Sequence, residues 1–147
     1  MRKRSLRVVA LLFALILLLS ATAFAAPNAS AYITATSAWI TRDGNTVKVN
    51  FYIIGTDTMD IIGVKYVYLY ELNGYTWSLV KTFDYTNPQY TATMVNYNSG
   101  AKAAYLPYYG SAENSYFADC RFYAEKNGGS DTIQQDTPTS IGTPPGP

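Results

Sequence analysis

The sequence predicts an all-β fold, an antiparallel two-sheet sandwich of about seven strands. Three observations carry that expectation. Segments rich in β-branched and aromatic residues recur at intervals of roughly ten residues, turn dipeptides separate them, and no convincing helix stands out after the N-terminal segment. The firmest piece is Ser115 to Asp131, SYFADCRFYAEKNGGSD. Tyr116, Ala118, Cys120, Phe122 and Ala124 alternate there with Phe117, Asp119, Arg121, Tyr123 and Glu125, so a strand places the first set on one face and the second on the other. Gly128 and Gly129 then reverse the chain.

The chain has 147 residues, and residues 1–25 read as an export signal outside the fold. Arg2, Lys3, Arg4 and Arg7 make a basic start, Val8 to Leu19 is an unbroken apolar run, and Ala23-Phe24-Ala25 is a small-x-small cleavage site. The run is shorter than the about 20 residues a spanning helix needs, so cleavage after Ala25 is expected in preference to a retained anchor, leaving no membrane segment. Four of the 11 Lys and Arg lie in the signal and none of the 10 Asp and Glu. The remainder therefore carries 7 cations against 10 anions, a net of −3. Its cations are scattered singly, and no basic patch is offered to nucleic acid. A single cysteine rules out an internal disulfide. An exported chain with so little cysteine fits a bacterium, and Cys120 is expected to be a buried hydrophobe, with an intermolecular disulfide as the alternative.

Taken in order, 26–135 is the expected domain and 136–147 a disordered Pro, Gly and Thr-rich tail. Asn28-Ala29-Ser30 matches a glycosylation sequon but reads as a flexible leader. Ala31 to Thr41 is a first strand with apolar residues on both faces, which suggests a bulge near Ser37-Ala38. Arg42-Asp43-Gly44-Asn45 is a tight turn. Val47, Val49, Phe51 and Ile53 then alternate with polar positions through Thr46 to Ile54. Gly55 to Asp60 reads as a polar loop, and its Asp57 and Asp60 are too few for calcium.

Ile61 to Leu72 is the third strand, with Gly63 marking a bulge or a close backbone approach. It places Val67 and Leu69 on one face and Tyr66, Tyr68 and Tyr70 on the other. Asn73-Gly74 joins it to a partner strand, Tyr75 to Phe83. Tyr85 to Gln89 is a turn, and Tyr90 to Tyr97 a fifth strand. Asn98 to Asn114 lacks a clear period and carries Tyr105, Tyr108 and Tyr109. It is expected to cross between sheets, with Pro107 arguing against a central strand. After the Ser115 strand, Ile133 anchors a last short strand, Asp131 to Gln135.

The run IIGVKYVYLYELNGYTWSLVKTF, Ile61 to Phe83, together with YYGSAENSYFADCRFYAEKNGGSD, Tyr108 to Asp131, resembles a family of small exported proteins of Gram-positive, clostridia-like bacteria known only as a domain of unknown function. The matching features are Gly63, Leu69-Tyr70-Glu71, Trp77 before Leu79 to Phe83, and Tyr109-Gly110 ahead of Tyr116, Ala118 and Phe122-Tyr123-Ala124. The resemblance implies an immunoglobulin-like or fibronectin III-like secreted module and carries no catalytic residues. Cys120 departs from it, standing where an aliphatic residue is expected.

The chain has no histidine, which removes the commonest general base, the usual triads and most zinc sites. Nothing pairs the carboxylates Asp57, Asp60, Glu71, Asp84 and Glu113 for glycosidase work, and Glu71 reads as an exposed edge charge. The expectation is a non-enzyme without cofactor or metal, meeting an extracellular protein or a cell-wall glycan. The alternative is a carbohydrate-binding module that uses Tyr66, Tyr68, Tyr70, Tyr105, Tyr108 and Tyr109 as a flat aromatic platform. Trp77, Cys120 and Phe122 are assigned to structure. So is Tyr116, as a corner tyrosine whose ring enters the core and whose hydroxyl reaches back to the loop before it.

Overall fold

The computed structural model describes residues 30–142. The export signal, its cleavage position, the sequon at Asn28 and the last tail residues lie outside them. Six strands and one short helix follow in the order β1 (Ile33–Asp43), β2 (Thr46–Asn73), β3 (Thr76–Asp84), α1 (Pro88–Met94), β4 (Val95–Tyr109), β5 (Tyr116–Lys126) and β6 (Gly129–Asp136). All pairings are antiparallel, in one six-stranded curled sheet.

The sheet is organised by β2, which runs for 28 residues. Its first half, up to Ile54, lies between β1 and β4. Its second half, from Tyr66, lies between β3 and β5, and β6 extends that half beyond β5. The polar stretch Gly55 to Asp60 is therefore part of a strand and not a loop. Ile54 pairs with Ala101 and Met59 with Ser99, so residues 55–58 of β2 oppose the lone Gly100 of β4. Surplus residues on one strand bend it and sharpen its twist. Thr56, Asp57 and Thr58 face water while Met59 is fully buried, which makes the bend a corner that turns inward.

The curl directs one face of both halves into a common core. Val47, Val49, Phe51 and Ile53 from the first half meet Ile62, Val64, Val67 and Leu69 from the second. Tyr116, Ala118, Cys120, Phe122 and Ala124, the alternating set of β5, are all fully buried. Strand alternation thus works as predicted wherever the chain is flanked on both sides.

Two contacts close the curl. On one side β1 meets β6, where Thr36 donates to Gln135 at 2.9 Å and Asp131 accepts from Ser30 at 2.6 Å and from the Tyr32 N–H at 2.9 Å. On the other side α1 fills the gap between β3 and β4. It replaces much of the predicted fifth strand. Asn87 caps the helix by accepting from the Gln89 N–H at 3.0 Å, and Pro88 takes the first turn, where its missing N–H costs nothing. Tyr90 and Met94, four residues apart, point to the core, with Tyr90 edge-on to Phe83 at 5.2 Å. Gly63 permits this: a Cβ there would lie 2.1 Å from the Met94 carbonyl oxygen. Gly63 is thus the predicted close approach, and the register shift comes just after it, between Val64 and Tyr66.

Other differences are local. The irregularity in β1 falls between Ile33 and Ala35, ahead of the predicted Ser37-Ala38. The predicted crossing segment is mostly the edge strand β4, and Pro107 sits in it, paired with Lys48 on one side only. The last reversal uses Asn127 and Gly128, both with positive φ, so Gly129 already belongs to β6. Beyond β6 the chain stays on the sheet. Thr137 is buried and exchanges hydrogen bonds with Ala118, and Ser140 forms an antiparallel bridge with Tyr116.

Candidate binding surfaces

The outward faces of the two halves differ in kind. On the second half, alternation along β2 and the register with β3 and β5 bring Tyr66, Tyr68 and Tyr70 together with Phe117 and Trp77. Tyr66 and Tyr68 stack with centroids 6.1 Å apart and planes 13° apart. Tyr70 lies on Phe117 at 4.8 Å and 6°, and Trp77 meets that ring edge-on at 4.8 Å. Trp77, assigned to structure, is 37% exposed and acts as the end of this ladder. Each stacked pair covers part of one face of its rings, and Tyr66, Tyr68 and Tyr70 remain half-buried. Tyr66 also has its hydroxyl pKa raised, first by the charge of Asp84 and then by burial.

Charge runs beside the ladder. Asp119 is buried on this side and accepts from Arg121 at 2.9 Å and from Gln134 at 3.1 Å. The Asp119 Oδ1 and Arg121 Nε atoms have no other partner. They belong to the same ion pair, and a side-on bidentate closure would satisfy both at once. Lys65, displaced by the register shift, places its ammonium 3.3 Å from the centre of the Tyr123 ring.

The other three platform tyrosines sit elsewhere. Tyr105 and Tyr109 project outward from β4 on the first half, 52% and 81% exposed. Tyr108 alternates to the inner side and sits edge-on to Tyr116 at 6.1 Å. The six predicted residues are therefore split among two outer faces and the core. Register gives Tyr105 different neighbours, because Asn50 pairs with Trp39 on one side and Tyr105 on the other. Tyr52, edge-on to Trp39 at 6.3 Å, and Ile54 continue that face. Trp39, Tyr52 and Ile54 did not emerge from the sequence as surface residues of interest. The alternation through Phe51 already turned Tyr52 outward, but only the pairing of β1 with β2 brings Trp39 beside it.

Tyr116 anchors the end of the sheet. Its ring is fully buried, its hydroxyl accepts from the Ser111 N–H at 2.9 Å, and it donates to Glu71 at 2.8 Å. Burial and the bond to Glu71 push its pKa up to about 12. Glu71 is accordingly not an exposed edge charge. Its strand is flanked by β3 and β5, and it also accepts from Asn114 at 2.6 Å. Arg42 completes the cluster. It stands over the Tyr116 ring, and its guanidinium donates to the carbonyls of Ala112, Asn114 and Ser140, which pins the loop and the chain after β6 together.

Cys120 is fully buried, and burial followed by the charges of Asp119 and Asp136 pushes its thiol up to about 12. Such a thiol is neutral at physiological pH and offers nothing to a second chain. Asp57 pairs with Lys126, and Asp60 accepts from the Asn127 N–H at 2.8 Å, so both fasten the corner to the β5–β6 turn. Among the described residues no group of three or more His, Cys, Asp or Glu is placed to hold a metal ion, and no helix is long and apolar enough to cross a membrane. Shallow open grooves of about 470 and 480 Å³ flank α1, between Tyr90 and Leu106 on one side and between Thr91 and Tyr97 on the other, lined by neutral side chains.

No protein-family model matches this chain, and neither a curated protein nor a solved structure matches it.

Proposed function

We propose that this chain is an exported, non-catalytic contact module whose outward sheet faces meet partners outside the cell. The observation that carries this is the pair of aromatic outer faces held on one continuous strand. Large exposed aromatics on a rigid sheet are expensive to leave in water unless they pack on one another or on a partner. The basic start, apolar run and small-residue site at the N-terminus support export, and the lack of histidine supports a non-catalytic role.

The curled sheet reads further as a two-layer sandwich of immunoglobulin or fibronectin III type. β1, the first half of β2 and β4 make one layer, and β3, the second half of β2, β5 and β6 the other. Counted once in each layer, β2 brings the total to seven strands, in line with the resemblance to small exported bacterial proteins. Partners of the protein class fit the outer faces better than a flat sugar platform does, because the six tyrosines are divided between two outer faces and the inner side.

The test is a pull-down with the purified exported protein against cell-surface and secreted proteins and against insoluble cell wall. Saturable protein capture, reduced by Tyr68→Ser, is the expected result. Turnover of a glycan or peptide substrate, or capture by polysaccharide alone, would overturn it.

A further inference from the structure

We infer that the outer face of the first half is a self-association surface on which a second copy of this chain docks face to face. The inference rests on the reading of the domain as a contact module and names the partner of one face. Trp39 and Tyr105 flank Asn50 on this face, Tyr52 and Ile54 lie in the next two rows, and Tyr109 lies two rows the other way, beyond Lys48 and Pro107; they are 40%, 52%, 36%, 44% and 81% exposed. Whole aromatic side chains bury roughly 150 to 250 Å² each, so the four aromatics alone leave on the order of 400 Å² uncovered. The alanine, threonine and proline positions between them extend this toward the about 800 Å² per partner of a standard interface.

Charge decides which occupant fits. The exported chain carries a net of −3, from 7 cations and 10 anions. The outer face of the second half holds Asp84, Asp119, Glu125 and Asp136 against Lys65 and Arg121, and two copies meeting there would repel. On the first half Lys48 pairs with Asp43 at 3.4 Å, and these charges cancel. Two acidic copies therefore meet with least repulsion on this neutral face, and an isologous contact buries every aromatic twice.

Edge-to-edge association is the competing geometry, and β4 is built against it. Pro107 lacks a backbone donor, and Lys102 turns inward, donating to the Ala92 carbonyl at 2.7 Å. The β4 edge is thus blunted, and the face is the surface assigned to the second copy.

Sedimentation equilibrium of the purified exported protein tests this. A monomer–dimer equilibrium is expected, with the dissociation constant raised at least tenfold by Trp39→Ser combined with Tyr105→Ser, while circular dichroism keeps the wild-type β signal. Tyr105→Arg, which brings like charges together across the two-fold axis, is expected to do the same. Added salt is expected to tighten the dimer, since it screens the repulsion between acidic copies. A protein still monomeric at about 1 mM, or a dimer untouched by both variants, would overturn the proposal, as would a dimer lost on Tyr68→Ser or Cys120→Ala. Protein capture in the pull-down does not depend on this result, so either reading can fail alone.

Discussion

The first half of the sheet keeps an unbroken ladder from Val47 to Ile53 on both sides of β2. The second half slips register twice, between Val64 and Tyr66 and between Leu69 and Tyr70. Both halves bury the same kind of inner face, yet their outer faces solve different problems. In the second half, tyrosines with Phe117 and Trp77 form stacked and edge-on pairs beside a half-buried ion pair. In the first half, regular alternation leaves Tyr105 and Tyr109 pointing into water, 52% and 81% exposed, with the Lys48 ammonium 5.6 Å from the centre of the Tyr105 ring. A face that satisfies itself is part of the monomer's stability. A face that does not leaves apolar surface in water.

The largest expected effect asks whether the halves are separate units at all. Phe51 and Phe122 are fully buried in one shared core. Phe51→Ala and Phe122→Ala should each cost about 3 to 5 kcal/mol and lower a single calorimetric transition, and two resolved transitions would break the one-core description. Next comes the Tyr116 hydroxyl, bonded to Ser111 and Glu71. Tyr116→Phe is expected to cost about 1 to 3 kcal/mol by denaturant unfolding, because Glu71 loses a buried partner; an unchanged midpoint would remove the corner role.

The same tyrosine sets an alkaline limit. Its ordinary pKa of 10.0 rises to about 12 in the fold, and that of Cys120 rises from 9.0 to about 12. A raised folded value means that the fold holds the proton better than the unfolded chain does. The stabilisation is complete below the unfolded values and is lost as pH climbs from about 9 to about 12. Thermal midpoints should fall across that window, and less steeply in Cys120→Ala than in the wild type; parallel slopes would contradict this.

Removing the helix cap is a smaller test. Asn87→Ala should cost about 1 kcal/mol, felt on the β3–β4 side of the sheet as faster hydrogen exchange around Tyr90. The smallest pair bears directly on the two outer faces. Tyr68→Ser removes a stacked ring and should cost about 0.5 to 1.5 kcal/mol, whereas Tyr109→Ser in dilute monomer, at a ring 81% exposed, should stay within about 0.5 kcal/mol. Equal losses would erase the distinction between a ladder that stabilises itself and a face left open.

Much of this fold was legible in the residues. The alternation through Val47 to Ile53 and Tyr116 to Ala124, and the turns at Gly44, Gly74 and Gly128, follow from side-chain period and backbone sterics alone. What escaped depends on tertiary context. Gly55 to Asp60 is polar because it faces water at a bend, and composition does not separate a bent strand from a loop; the lone apolar Met59 was the only signal. Tyr90, Ala92 and Met94 fit a period of two, but Tyr90 and Met94 fit a helix as well, and Asn87-Pro88 favoured the helix. The outer faces were half readable. Tyr66, Tyr68 and Tyr70 share a face by alternation, while joining Trp39 to Tyr105 requires knowing which strands flank Asn50.

The long strand β2 has a consequence for how the chain reaches this state. Four of the other five strands pair with it, and it is complete at Asn73, before β4 and β5 have been made. A nascent chain therefore carries β2 with only β1 and β3 to shield it until β4 has emerged, and its second half lacks β5 until Lys126 has emerged. Much of its apolar set must wait for partners far downstream, as the pairing of Ile61 with Glu125 illustrates. Such distant pairings make folding slow, and an unfinished chain exposes a sticky ribbon. Truncation before β5 should yield aggregates and no smaller folded form, so quality control of this protein reduces to whether synthesis runs to completion.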